Sequence, residues 1–162
     1  MQADTGAFIR LVNHRFKFPL FLFSKIPSAF FSGVRIREIS EEACTVAVPY
    51  KWFSQNPFRS TYFACLAMAA ELSTGALLMA HTYKSRPSVS ILVTRMEAQF
   101  HKKASGTTLF VCADGLKIRE ALAAAVQSGQ AGTISALSTG QNERGETVAE
   151  FRVTWSFKAR AV

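Results

Sequence analysis

Few of the residues that usually announce a mechanism are present. The chain has only three cysteines and three histidines in 162 residues. Cys44, Cys65 and Cys112 are odd in number, far apart, and each set inside an apolar stretch. That is the pattern of buried free thiols in a reducing, cytoplasmic setting, and it excludes a disulfide framework. No two cysteines have metal-ligand spacing, and His14, His81 and His101 stand alone, so no zinc site or other metal is expected. Glycine-rich stretches such as Ser138-Thr139-Gly140 lack the spacing of a phosphate loop, and no Gly-x-Ser-x-Gly turn occurs. Charged residues make up 19% of the chain, below the usual ~25%. The shortfall points to surface hidden in an oligomer interface. Linkers, repeats and low-complexity segments are missing too, so the reading is of one ordinary domain.

What charge there is leans basic, with a formal net charge of +8. Such a balance suits anionic partners, whether nucleic acid, an acidic membrane surface or a phosphorylated small molecule. The cations are scattered, with small clusters at His14-Arg15-Lys17, Arg35-Arg37 and His101-Lys102-Lys103. No nucleic-acid-binding signature accompanies them, so no nucleic-acid partner is expected. Phe16, Phe18, Phe21, Phe23, Phe30 and Phe31 lie beside basic residues near the N-terminus. They either pack on the domain or a partner subunit, or give weak contact with a membrane surface. The run Phe18 to Phe23 is too short to span a bilayer or to serve as a signal-peptide core.

Periodicity gives the elements. Thr5 to Phe23 reads as one or two short helices broken near Pro19, within an N-terminal helical segment 1–32. The rest, 33–162, reads as the main domain. Gly33 to Ile39 and Cys44 to Val48 alternate as two strands of a hairpin turning at Glu41-Glu42. Lys51 to Ser60 is an irregular loop, and Ser60 or Thr61 is expected to cap the helix that follows. That helix, Tyr62 to about His81, is apolar nearly all round and must be buried on most sides. Ser88 to Met96, Thr107 to Ala113 and Thr133 to Gln141 read as strands, with a short helix from Leu116 to Gln127. In the last strand Phe151, Val153, Trp155 and Phe157 alternate with Arg152, Thr154, Ser156 and Lys158. The expected fold class is α+β: a six-stranded, mainly antiparallel sheet wrapped around a long central helix. Its open edge and concave side call for a second copy, as a homodimer or a dimer of dimers.

Between Arg59 and His81 the one charged residue is Glu71. A carboxylate on so apolar a helix is costly unless it is hydrogen-bonded or chemically used. Burial raises its pKa toward the range of a general base. Two readings stand: it bonds a backbone group or a neighbouring subunit's arginine, or it works as a base or nucleophile at a subunit interface. Asn56, in the loop fifteen residues earlier, carries an amide able to donate to a carbonyl. The first helical turn, around Tyr62 and Phe63, offers unpaired N–H groups at the positive end of the dipole. Together these would polarise a thioester carbonyl as an oxyanion hole does.

The order of elements and these residues resemble the hotdog fold, and within it the acyl-CoA thioesterases of the phenylacetyl-CoA thioesterase-like group. That group places an Asn in the loop, His-Gly at the helix start, and an Asp or Glu about two turns on. Asn56, Tyr62-Phe63 and Glu71 occupy those positions here. The strand Ser88 to Met96, followed by His101 to Val111, is similar to the group's next hairpin. The likeness covers roughly residues 33 to 158. It departs at the helix start, where Tyr62 and Phe63 replace His-Gly, so only the backbone N–H of Phe63 survives as a donor there. In this respect the chain is most similar to the hotdog proteins of unknown function.

The resemblance implies catalysis by Glu71, with Asn56 and Phe63 holding the carbonyl oxygen and Ser88 reaching the facing subunit's site. It implies substrate contacts from Tyr62, Ser60, Thr61, Arg59 and Leu66. Arg59, Arg86 and Lys102 are candidates for the phosphates of coenzyme A, which enters as part of the substrate rather than as a cofactor. The alternatives are a non-catalytic acyl-group or lipid-binding hotdog protein and, more remotely, a basic nucleic-acid adaptor.

Overall fold

The alternating apolar residues of the last third of the chain pair as long antiparallel strands. A computed structural model describes residues 3–160. Three helices come first: α1 (Thr5–Val12), α2 (Lys17–Lys25) and α3 (Pro27–Ser32). Strands β1 (Arg35–Ile39) and β2 (Cys44–Val48) follow, then a 3-10 turn at Trp52–Ser54 and the long helix α4 (Phe63–Thr82). The remainder is β3 (Val89–Phe100), β4 (Thr108–Cys112), α5 (Gly115–Ser128), β5 (Gly132–Gln141) and β6 (Thr147–Ala159). The sheet runs β1-β2-β4-β5-β6-β3, and every neighbouring pair is antiparallel. β6 lies between β5 and β3. Phe151, Val153, Trp155 and Phe157 turn inward from it and are buried, while Arg152 and Lys158 face solvent.

The sheet curls around α4, which packs on β2, β4, β5 and β6. Leu66, Ala69, Ala70, Leu77, Leu78 and Ala80 are buried on that helix. It is long and apolar enough to cross a membrane, yet most of it lies inside the sheet. Its polar groups are tied to the strands. Ser73 and Ser138 share a 2.7 Å hydroxyl–hydroxyl bond, and Trp155 Nε1 donates to Thr74 Oγ1 at 2.9 Å. His81 lies 2.9 Å from the Glu41 carbonyl, and burial, the largest influence, pushes its pKa down. The neutral ring therefore donates its Nε2–H to that carbonyl.

Several boundaries differ from the sequence reading. The N-terminal helices are not broken at Pro19. They break at His14–Phe16 and again at Ile26, and Pro19 is the third residue of α2. In the first turn a missing N–H removes no helical hydrogen bond, so proline is tolerated there. Helix α3 ends at Gly33, whose φ of +79° is the left-handed stop that glycine adopts without strain. Ser60 and Thr61 do not cap α4. The N-cap is Tyr62, with no side-chain cap bond. β3 runs on to Phe100 rather than ending at Met96, because β6 extends far enough to pair with it as far as Ala149. The helices of the N-terminal segment also add to the one core: Phe8, Val12, Phe18 and Leu22 are buried in it.

The β1–β2 turn is pressed onto the start of α5. The Gly115 N–H donates to the Glu42 carbonyl at 2.9 Å, and a Cβ on Gly115 would collide with the Glu41 carbonyl oxygen. Backbone cannot swing aside as a side chain can. Gly115→Ala is expected to cost about 2 kcal/mol, seen in calorimetry as a melting temperature lower by roughly 4–8 °C. An unchanged melting temperature would show that the turn is not clamped here.

Candidate active site

The chain enters α4 through a small loop closed on itself. Gln55 and Thr61 form an antiparallel bridge, and the Asn56 N–H donates to the Ser60 carbonyl at 2.9 Å. The Asn56 side chain organises the interior. Its Oδ1 accepts from the N–H groups of Phe58 at 2.9 Å and Ser60 at 3.2 Å. Its Nδ2 donates to Ser60 Oγ at 3.1 Å and, more weakly, to the Thr61 carbonyl at 3.5 Å. Both faces of the amide are therefore engaged within the loop. At the tip, Arg59 adopts φ +59°, a left-handed conformation that costs a non-glycine residue roughly 1 kcal/mol. Thr61 anchors the far side, where its N–H and hydroxyl both donate to the Ala104 carbonyl, at 2.7 and 3.1 Å. Those partners are why Ser60 and Thr61 leave the helix uncapped.

The helix start is consequently rich in donors. Among the described residues, the N–H groups of Phe63 and Ala64 find no acceptor, and they sit at the positive end of a twenty-residue dipole. The Tyr62 and Phe63 rings meet edge to face at 4.8 Å, with Phe63 57% exposed. Beside them opens a cavity of about 590 Å³. Asn56, Ser60, Thr61, Tyr62, Phe63 and Leu66 form one wall. Phe100 and the segment His101 to Ala104 form the other. Six of the nine expected site residues thus converge.

The other three do not line this cavity. Arg59 projects from the loop tip into solvent, and Ser88 stands on the surface just ahead of β3, its carbonyl accepting from the Arg160 N–H at 2.8 Å. Glu71 lies eight residues along α4 from Phe63, which is about 12 Å of helix. Of the expected phosphate contacts, Lys102 lines the cavity and pairs with Glu146, whereas Arg59 and Arg86 lie outside it. Sequence reasoning missed Phe100, Lys103 and Ala104 as wall residues. The usable signal was the run His101-Lys102-Lys103 directly after a strand, together with Thr61 needing a distant acceptor.

Glu71 is half-buried on the one incompletely covered stripe of α4, with Ala64, Ala67 and Met68. Among the described residues its carboxylate has no hydrogen bond and no ion pair. It lies over Gly75, against which the Trp155 indole packs. Burial raises its pKa above the ordinary 4.5. The helix thus carries, among the described residues, an unpaired carboxyl that burial makes a stronger proton acceptor and, at its start, backbone N–H groups without acceptors. Among the described residues no three His, Cys, Asp or Glu side chains gather as a metal site requires.

An antiparallel sheet curled around one long helix is the hotdog fold, and comparison with solved structures agrees. The Pseudomonas aeruginosa protein PA5026, a protein of unknown function and probable thioesterase, is similar over 99% of both chains at 22% identity, with a TM-score of 0.76. The E. coli PaaI protein of the phenylacetic acid degradation operon covers 88% of this chain and 90% of its own, at 14% identity and a TM-score of 0.62. The thioesterase HI1161 of Haemophilus influenzae covers 86% and 87%, at 12% identity and 0.59. At these identities the likeness establishes the fold. Residues 18–157 match the domain of unknown function DUF4442, and the chain belongs to that family. The match begins inside α2, upstream of the sheet. No curated protein sequence matches the chain.

The position of Glu71 has a measurable consequence. An ionised carboxylate half-withdrawn from water destabilises the fold above its raised pKa. That penalty is relieved as pH falls through the raised pKa and is gone below 4.5, where folded and unfolded chains are both protonated. Glu71→Gln is therefore expected to raise the melting temperature at pH 7–8 and to lose that advantage below pH 4.5. A lower melting temperature at neutral pH would instead mean that the carboxylate is held by a stabilising partner.

Proposed function

We propose that this protein is an acyl-CoA thioesterase acting as a homodimer or a dimer of dimers in a reducing cytoplasm. The observation that carries the reading is Glu71: an unpaired, half-buried carboxylate with a raised pKa on the open stripe of the central helix. The similarity in fold to the H. influenzae thioesterase supports the same reaction class.

The helix constrains how the parts can combine. A carbonyl oxygen bound to the Phe63 N–H lies within about 3 Å of it, while Glu71 is roughly 12 Å farther along a rigid rod. A reacting centre that draws Phe63 from one copy and Glu71 from another brings both to a single carbonyl without spanning that length. The long outer edge of β3, with Leu92, Met96 and Phe100 exposed, supports such pairing. Glu71 takes a proton from water, the hydroxide adds to the thioester carbon, and the Phe63 N–H holds the resulting oxyanion, with Asn56 holding the loop that frames it. The C–S bond then breaks and the thiolate receives the proton. Direct attack by Glu71, followed by hydrolysis of the anhydride, uses the same groups. Ser88 of the facing copy positions the water. The cavity beside Leu66, Tyr62, Ser60 and Thr61 takes the acyl part, and Arg59 and Lys102 meet the phosphates.

A second reading, acyl-group binding without turnover, is favoured by the exposed Phe63 ring, where the thioesterase group that the sequence resembles carries glycine, and by the internal hydrogen bonds of Asn56. Thiol release from a panel of acyl-CoAs separates the two. The wild type should hydrolyse at least one, and Glu71→Ala should lower kcat/KM by about 10²–10⁴-fold. Activity should rise with pH through an inflection above 4.5. Equal, slow hydrolysis of every thioester by both proteins would end the catalytic reading.

The composite site is tested by mixing variants. Phe63→Pro removes the N–H at the first helical position, where proline is tolerated, and should cost about 10²–10³-fold. Phe63→Ala keeps the N–H and should not. Co-refolded Glu71→Ala and Phe63→Pro chains should regain activity, because one site in the mixed dimer holds both native groups. A mixture as inactive as its parents would place the whole site in one chain.

A further inference from the structure

The face formed by α2, α3 and the 3-10 turn is apolar where the chain meets water. On α2, Phe18 and Leu22 are buried, yet Phe16, Leu20 and Phe23, at i, i+4 and i+7, line the outer side. Phe16 is 69% exposed and Leu20 66%. The aromatic surface continues without a break. Phe23 meets Phe31 at 6.0 Å, Phe31 stacks on Phe53 at 5.7 Å, and Phe53 meets Trp52 at 4.8 Å. Trp52 is 76% exposed. A contiguous patch of this kind on a folded chain marks a surface that is covered in use.

Its charge selects the partner. No acidic residue occurs from Thr5 to Arg37 or from Ala43 to Ala70. Arg15, Lys17, Lys25 and Lys51 are exposed on the same elements, with the Lys51 ammonium lying over Gly33 at the end of α3, and Arg35 lines the groove beside Phe18 and Leu22. The Arg15 guanidinium stands 5.3 Å over the Phe16 ring. Two copies joined through this face would bring these cations together with no carboxylate from either stretch between them. An anionic lipid surface instead receives the rings at the headgroup boundary and attracts every cation.

We propose that this face docks the protein on an anionic lipid bilayer. The stretch 49–63 carries both the lipid-facing Trp52 and Phe53 and the Asn56–Phe63 rim of the cavity. Docking therefore sets the cavity mouth beside the lipid. The inference does not rest on the thioesterase reading.

Sedimentation of the full chain with vesicles tests it. Binding is expected to vesicles of phosphatidylcholine mixed with phosphatidylglycerol, little to phosphatidylcholine alone, with loss in high salt. Trp155 is buried and hydrogen-bonded, so a blue shift on binding reports Trp52. Replacing Trp52 and Phe53 together by serine should weaken binding at least about ten-fold. Lys17→Gln with Lys25→Gln should weaken it about 30-fold, at roughly 1 kcal/mol per charge near the surface. These positions are exposed, and an unchanged melting temperature verifies folding. No binding to either vesicle overturns the proposal, as does binding that the serine variant leaves intact. A vesicle-independent oligomer that the serine variant dissolves would reassign the face to contact between copies.

Discussion

A twenty-residue helix that is apolar on nearly every side must be covered on nearly every side, and here a sheet covers it. That requirement organises the rest of the molecule. The strands must be antiparallel and long enough to curl around α4, with their inward residues alternating large and apolar, as β6 supplies them. Small residues on the helix let the strands approach closely, and the polar groups it carries, one apart, are hydrogen-bonded: Thr82 to the Leu78 carbonyl of the helix itself and three others to partners outside it. Ser73, Thr74 and His81 meet Ser138, Trp155 and the Glu41 carbonyl. Glu71 is the exception, and in a well-satisfied interior an exception is where chemistry is sought.

Much of this was legible beforehand. The strict period-two alternation of β6 reads as a half-buried strand and the uniform apolarity of α4 demands burial on most sides, and together with the other strands they point to a helix inside a sheet. What escaped depended on partners distant in sequence. Thr61 looks like a helix cap, but its donors reach Ala104, forty-three residues away. Glu97, Ala98 and Gln99 do not look like strand, yet β6 pairs with them and extends β3 to the cavity wall. Pro19 punctuates a helix on paper, while its place in a first turn makes it harmless.

The site was partly readable for the same reason. Asn56, Phe63 and Glu71 could be picked out by type and spacing, since an acid on an apolar helix and donors at its uncapped start are local properties. Their separation along a rigid rod was equally implicit in the numbering, and in the proposed reaction a second copy closes that distance. The condition of Asn56 was not foreseeable. Its amide is consumed by the loop, so the backbone of Phe63 and Ala64 is left as the open donor set.

The segment from Gln55 to Thr61 has a further implication. Its turn is closed by its own bridge and by Asn56, and it is tied to the segment His101 to Ala104 at two points, Thr61 to the Ala104 carbonyl and the Phe58 carbonyl to the exposed Lys103 ammonium. Phe58 and Arg59 at the tip carry none of the core. Such a stretch behaves as a cassette. Between its two fixed ends, lineages can exchange the tip and redraw the rim of the cavity without renegotiating the scaffold, so ligand preference is free to diverge faster than the fold beneath it.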